Sequence, residues 1–535
     1  MSQTPKKQTF LHGAALLAMA TAIVKIIGAL YKLPLKMVIG DQGYSYFCTA
    51  YDIYSVLLMI STAGLPVAMS RMISQASSLG HYNQVRRVYN TARALFLGLG
   101  AASSLLMILF CRELAAFQQQ PNAAAAIMAL GPCAFLMGLM STYRGFFQGQ
   151  GNMIPTSTSQ IIEAIVKLVV GLVGAVALLK LTNSVPLAAA GAIAGVTASC
   201  MISSIFLFSQ LRGAYTVLPK TTETVTPYGT TAKQLLAIAV PITIGAAGLQ
   251  MLTVVENNLY MGQLLTAGGL SQDVAEHTNG VYKMAQTIYN MPCAFITPIT
   301  ISIIPAITSQ LTMGNHKGVK ATEESAARVT ALLSLPCAVG LIVLSQPIMA
   351  LLGGYSGEKL ALASSLMSLL GISVFLHAIV LLTNAIMQAH GHPNFPVVNM
   401  LCSGVVRLVV VYILTSNPAI GIMGVPIGTA LCNLCIAVLN LFAMGKCVPQ
   451  KPALLSNLLR PLLPVAFMAM AAYGSWQGLL TILGSNASRI ILCGVPIALA
   501  GCVYLLCIPL FKAITAEDCM LLPKGEKIVK ILHLL

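Results

Sequence analysis

Charge is what this sequence has least of. Only 8% of its 535 residues are Asp, Glu, Lys or Arg, against about 25% in a soluble domain. That shortage excludes a soluble enzyme or a soluble nucleic-acid binder. Acids are the scarcer sign, 14 against 30 Lys+Arg; there is no Asp-x-Asp motif and no interspan loop long enough to hold a catalytic domain. A disulfide framework is also missing, because the 14 cysteines are scattered singly through apolar runs. The lone C-x-x-C, Cys432 and Cys435, falls mid-helix in GTALCNLCIAVLN, where small buried thiols are ordinary packing. No cleavable leader is evident, since the apolar run after Lys6-Lys7 is too long and lacks an Ala-x-Ala exit. His390 and His392 flank a glycine without the carboxylates or thiolates a metal needs. No metal or cofactor is expected.

What the chain has instead is apolar length. Hydrophobic residues make up 57% of it and the mean hydropathy is +0.83. At about 20 residues per crossing, the runs between Gly, Pro, Asn and charge predict an all-α integral membrane protein with about fourteen transmembrane helices, starting at 10–38 and 44–72 and ending at 488–512. With the N-terminus inside, twenty of the cations fall in inner loops and tails and five in outer loops. Both termini are therefore expected in the cytoplasm of a bacterial plasma membrane.

The chain also repeats at an offset of 240. QGQGNMIPTSTSQIIEAIVKLVV from Gln148 answers QAHGHPNFPVVNMLCSGVVRLVV from Gln388, with Gly151 over Gly391 and Lys167 over Arg407. A weaker match sets SQASSLGHYNQV (74–85) against SQLTMGNHKGV (309–319). Six helices separate equivalent points, so the copies are parallel repeats. The expected architecture is two six-helix lobes around a central cavity, an N-lobe at 1–225 and a C-lobe at 226–449. Residues 450–535 add two helices and a cytoplasmic tail.

Charges inside spans cost at least about 2.5–3.5 kcal/mol each, and so point to function or to a partner. Lys25, Lys32 and Lys36 share one face of the first helix at i, i+7, i+11; Lys36 is read as snorkelling outward. Glu163 and Lys167 are spaced i, i+4 and read as a neutralising pair or as function. Arg407 faces Ser403 where its repeat-mate has Glu163, and so lacks a local carboxylate. Glu256, in the Gly/Pro-interrupted seventh span, is a candidate for ion or proton coupling or a charge partner, and Asp52 is a candidate partner for Lys32. The cavity cations Lys25, Lys32, Lys167 and Arg407 are the candidate substrate-binding residues.

The stretch TYRGFFQGQGNMIPTSTSQIIEAIVKLVV, together with the lobe layout, resembles the polysaccharide-export branch of the multidrug/oligosaccharidyl-lipid/polysaccharide (MOP) exporters, in particular the stage V sporulation protein B group and the MurJ-type lipid II flippases. The resemblance extends over nearly the whole chain. It implies fourteen helices, a V-shaped cavity and a bound polyprenyl-diphosphate sugar, with essential cations in that cavity and on the first helix. Lys25, with Gly28 three residues on, matches one of them; at the next cationic position this sequence reads Tyr31-Lys32, displaced by one residue.

The function expected is a flippase, not an enzyme, that moves an anionic lipid-linked precursor, with lipid II as first choice, to the outer leaflet by alternating access. It is expected to act as a monomer among membrane phospholipids, without nucleic acid. The membrane potential or a coupling ion (Na+ or H+) would drive it. Two alternatives stay open. A cation-coupled multidrug exporter would favour acids over cavity cations. A membrane glycosyltransferase or polymerase would need more outer acids than Asp273 and Glu276.

Overall fold

The structure, a computed structural model, describes residues 10–219, 221–449, 451–484, 488–511, 513–515 and 518. No strand occurs among them. Twelve of their helices are long and apolar enough to cross a membrane, so the expected all-helical membrane fold is observed. The expected number of fourteen is not fixed by this criterion. Large apolar side chains stand exposed along outward helix faces, for example Ile165, Val169 and Val173, or Val405, Val409 and Ile413. Such surfaces suit lipid and not water.

Two compact units divide the chain. The first holds residues 1–265 and 270–280 and the second 266–269 and 281–535. In the first lie α1 (Phe10–Thr62), α2 (Leu65–Ser78), α3 (Tyr82–Leu109), α4 (Cys111–Phe117), α5 (Ala124–Gly149), α6 (Ile154–Thr182), α7 (Val185–Thr216) and α8 (Tyr228–Thr266). α9 (Gln272–Thr312) starts in the first unit and continues in the second. The second also holds α10 (His316–Val343), α11 (Ser345–Leu352), α12 (Gly357–Ala389), α13 (Asn394–Thr415), α14 (Gly424–Cys447), α15 (Leu454–Leu459), α16 (Leu462–Leu483) and α17 (Arg489–Leu510).

α1 is two spans in one continuous element. Gly40 adopts φ 71°, ψ −176°, a backbone region open chiefly to glycine. In a straight helix Tyr31 and Phe47 would stand about 24 Å apart, yet their ring centroids are 5.9 Å apart. The chain therefore doubles back at Gly40. Across this bend Lys36 Nζ meets Asp41 Oδ1 at 3.0 Å, both side chains only 8% exposed. Lys36 does not snorkel; a buried partner one residue beyond the bend holds it.

The repeat is visible in the backbone. The turn glycines of the two copies share left-handed conformations: Gly80 and Gly314 at φ 73° and 66°, Gly151 and Gly391 at φ 76° and 79°. In both copies a 28-residue helix, α3 or α10, is followed by a short one, α4 or α11.

The compact units do not divide at 225/226. α8 and the first turns of α9 pack with the first unit, where a Cβ on Gly64 would overlap the carbonyl of Ala239 and one on Gly280 that of Asp41. A polar network reinforces this packing. Glu276, fully buried, accepts from Gln42 Nε2 at 2.8 Å, from Gln272 Nε2 at 2.8 Å and from the Tyr46 hydroxyl. Asn279 Nδ2 donates to Ser45 Oγ at 2.7 Å, and Tyr260 OH donates to Asn279 Oδ1 at 2.7 Å. Asp273 accepts from Gln42 at 3.1 Å. The two acids considered for catalysis are thus occupied in packing α9 onto α1.

In the second unit the chain beyond α17 is bolted to α10. Asp518, fully buried, accepts from Arg328 Nε at 2.8 Å and NH2 at 2.7 Å and from the Ser325 hydroxyl, while Arg328 NH1 donates to Asn457 Oδ1 at 2.9 Å. Burial acts to raise the Asp518 pKa, but the hydrogen bonds from Arg328, Ser325 and Thr515 outweigh it and hold the carboxyl below its ordinary value. A depressed folded-state pKa stabilises the fold above the unfolded value of about 3.9, and the contribution is lost as pH falls through the folded value. The wild type should therefore melt above Asp518→Asn at pH 7, with the gap closing below about pH 4. A gap independent of pH over that range would contradict this account.

Candidate substrate-binding site

The first unit builds its charged site where α1, α6 and α7 meet. α6 and α7 approach so closely that a Cβ on Gly195 would strike the backbone of Gly171, the small-residue contact that membrane helices favour. Gly171 also opens the slot that the Tyr31 ring fills. The Tyr31 hydroxyl donates to the Ala192 carbonyl at 3.2 Å, fixing the ring. One turn before Gly171, Lys167 Nζ stands 6.0 Å from the Tyr31 ring centroid, at the edge of cation–π range.

The neighbour of Lys167 in sequence is not its ion-pair partner. Glu163 Oε2 receives Arg144 NH2 at 3.0 Å, and Arg144 Nε donates to Ser159 Oγ at 3.0 Å. Arg144 lies within α5 and takes the carboxylate that the i, i+4 spacing offers to Lys167. Glu163 still attracts Lys167 electrostatically, and Lys32 of α1, a like charge, acts against that attraction more weakly. Neither Lys25 nor Lys32 forms a hydrogen bond or ion pair with another described residue, so the expected Asp52–Lys32 contact is absent.

The structure therefore brings Lys32, Lys167, Tyr31 and Glu163 together. Lys25 lies two helical turns before Lys32 on α1, and Asp52 lies beyond the Gly40 bend. Glu256 is buried on α8 beside Asn257, whose Nδ2 donates to Gln118 Oε1 at 2.5 Å. Lys283 is buried within α9.

Arg407 belongs to the second unit, on α13. Tyr289 of α9 lies close enough to interact with it electrostatically. The repeat-mates of Arg144 and Glu163 are Asn384 and Ser403. The ion pair of the first copy is replaced by an amide network, with Asn440 Nδ2 donating to Asn384 Oδ1 at 2.7 Å and to Thr383 Oγ1 at 2.9 Å. Sequence reasoning missed Tyr31 and Arg144 as site residues. The signal for Arg144 lay in the repeat, where both members of the pair change together.

Comparison with known proteins agrees with this architecture. The family model described as "Polysaccharide biosynthesis protein" matches residues 10–311, and the MatE model matches 253–413. The uncharacterized membrane protein YabM of Bacillus subtilis is 26% identical over 99% of this chain and 97% of its own length. The lipid II flippase MurJ of the same organism is 25% identical over 75% of this chain and 76% of its own length. Among solved structures, an inward closed conformation of the lipid II flippase MurJ superposes with a TM-score of 0.65 at 16% identity, covering 95% of this chain and all of that one.

Proposed function

This chain belongs to the polysaccharide biosynthesis protein family, within the MOP superfamily of multi-pass membrane transporters, and from that premise we propose that it is a flippase for an anionic polyprenyl-diphosphate sugar, with lipid II as the first cargo to test. It is a transporter and not an enzyme. The carrying observation is the charge arrangement around Lys167. Arg144 holds the ion pair with Glu163, which reaches Lys167 only at longer range, and Lys32 and Lys167 are neighbouring like charges. Two cations held together in an apolar span are stabilised by an anion that enters between them. A diphosphate supplies that charge and the oxygens to accept charge-assisted hydrogen bonds. The same arrangement repels a cationic drug, which disfavours the multidrug reading.

Lys25, further along α1, extends the cationic face toward a long headgroup, and Arg407 supplies the second unit's own cation. The membrane potential offers about 2.3 kcal/mol per charge per 100 mV, and Glu256, a buried carboxylate on α8, is our candidate for coupling to Na+ or H+. The orientation that fits is the one with both termini in the cytoplasm.

The test is native mass spectrometry of gently extracted protein. The wild type should retain one polyprenyl-diphosphate sugar, and Arg407→Ala should lose it while still inserting in the membrane. Retention of ordinary phospholipids alone by the wild type, with no flipping of lipid II in proteoliposomes, would refute the reading.

A further inference from the structure

A groove on the first unit, away from Lys32 and Lys167, has the features of a second binding site. It opens between α2, the start of α3, the α7–α8 linker and α8, and has a volume of about 540 Å³. Its origin shows in the repeat. In the second copy, Asn315 caps its own helix, its Oδ1 accepting from Gly318 N at 3.0 Å. In the first copy His81 stands at that position and makes no side-chain cap. The linker supplies the cap instead: Glu223 Oε1 accepts from Asn83 N at 2.7 Å and Gln84 N at 3.2 Å. Gln84 also exchanges two hydrogen bonds with Thr226, at 2.7 and 3.0 Å. Substitution of the cap thus fixes the linker as one wall and leaves His81 lining the groove.

The chemistry of that lining is one-sided. Arg71, Gln75, His81 and Gln234 supply donors and no carboxylate lines the groove; the nearby acid, Glu223, turns Oε1 to the α3 amides. Arg86 nearby is held by the Leu218 carbonyl at 2.5 Å, and Arg87 lies over the Tyr228 ring at 3.7 Å. Arg71 makes no hydrogen bond or ion pair with another described residue. Leu79, 63% exposed, and Ile238 form an apolar flank. A guanidinium with surrounding amide donors suits phosphate oxygens, and the volume is within the range of small-molecule pockets.

We propose that this groove binds a phosphate-bearing anion, with Arg71 as its principal contact. The phosphate is carried either by an anionic lipid headgroup, which the apolar flank suits, or by a soluble phosphate. This assignment is independent of the cargo reading.

The test titrates full-length protein in detergent with dioctanoyl phosphatidylglycerol, dioctanoyl phosphatidylcholine and inorganic phosphate, reading occupancy by native mass spectrometry. Expected is one phosphatidylglycerol retained by the wild type, at least tenfold weaker retention by Arg71→Gln, and no retention of phosphatidylcholine. Retention of inorganic phosphate alone, with the same Arg71 dependence, would support the site and identify a soluble ligand. Gln75→Trp, which fills the groove with Arg71 intact, should lose the ligand as well. Equal retention by wild type and Arg71→Gln, or wild-type binding by Gln75→Trp, would overturn the proposal. Polyprenyl-diphosphate sugar retention should be unchanged in both variants, which separates this site from the cargo site.

Discussion

Replacing Lys167 by glutamine is expected to abolish transport while leaving the protein as stable as the wild type or more so. The two halves of this expectation have separate causes. A hydrogen bond to a charged group contributes about 1.5–3 kcal/mol, so loss of the ammonium should weaken cargo retention by roughly 10- to 150-fold at about 1.4 kcal/mol per decade. The fold loses little, because Lys167 is not in the Arg144–Glu163 ion pair, and the cost of burying its ammonium, with repulsion from Lys32, offsets the longer-range attraction of Glu163. Had Lys167 been the partner of Glu163, its removal would strand a carboxylate and lower the melting temperature. Lys32→Gln should cost transport by the same route, and the double variant should lose less than the sum, since both cations contact one anion. Melting temperature and proteoliposome flipping of each variant check this. A destabilised Lys167→Gln, or one that transports normally, would refute it.

The parts of the molecule that local pattern controls were readable from the sequence, and those set by bends and distant contacts were not. The apolar runs and the 240-residue repeat imply the helices and their duplicated turns, because a glycine such as Gly151 or Gly391 marks a turn by its own backbone. Spacing also placed Lys32 and Lys167 within spans. It failed wherever an ion pair crossed a turn. Lys167 lies four residues from Glu163 and is the obvious partner on one helix, yet Arg144, nineteen residues back on α5, takes the carboxylate. Lys36 looked like a snorkelling residue because a straight helix puts its tip at the interface; the bend at Gly40 returns Asp41 to it instead. The division at 225/226 follows from repeat counting, which reports descent of the segments and is blind to α8 packing against Gly64.

Arg144 has no proposed contact with cargo, yet its removal should stop transport. In Arg144→Met, Glu163 loses its ion pair at 3.0 Å. Stranding one member of a buried pair costs about 3–5 kcal/mol; with these side chains 13% and 23% exposed, the lower end is expected. The freed carboxylate then has one cation within helical reach, Lys167 at i+4, in the favourable order with the acid N-terminal. Capture of Lys167 by Glu163 would neutralise the cation that the diphosphate needs. Glu163→Gln in the Arg144→Met background removes the stranded charge and releases Lys167, so the double variant should recover both stability and most of the flipping activity that the single variant loses. Rescue of stability without rescue of flipping would show that Arg144 serves the fold alone. Rescue of both, measured by melting temperature and proteoliposome flipping, requires that the task of Arg144 is to keep Glu163 off Lys167.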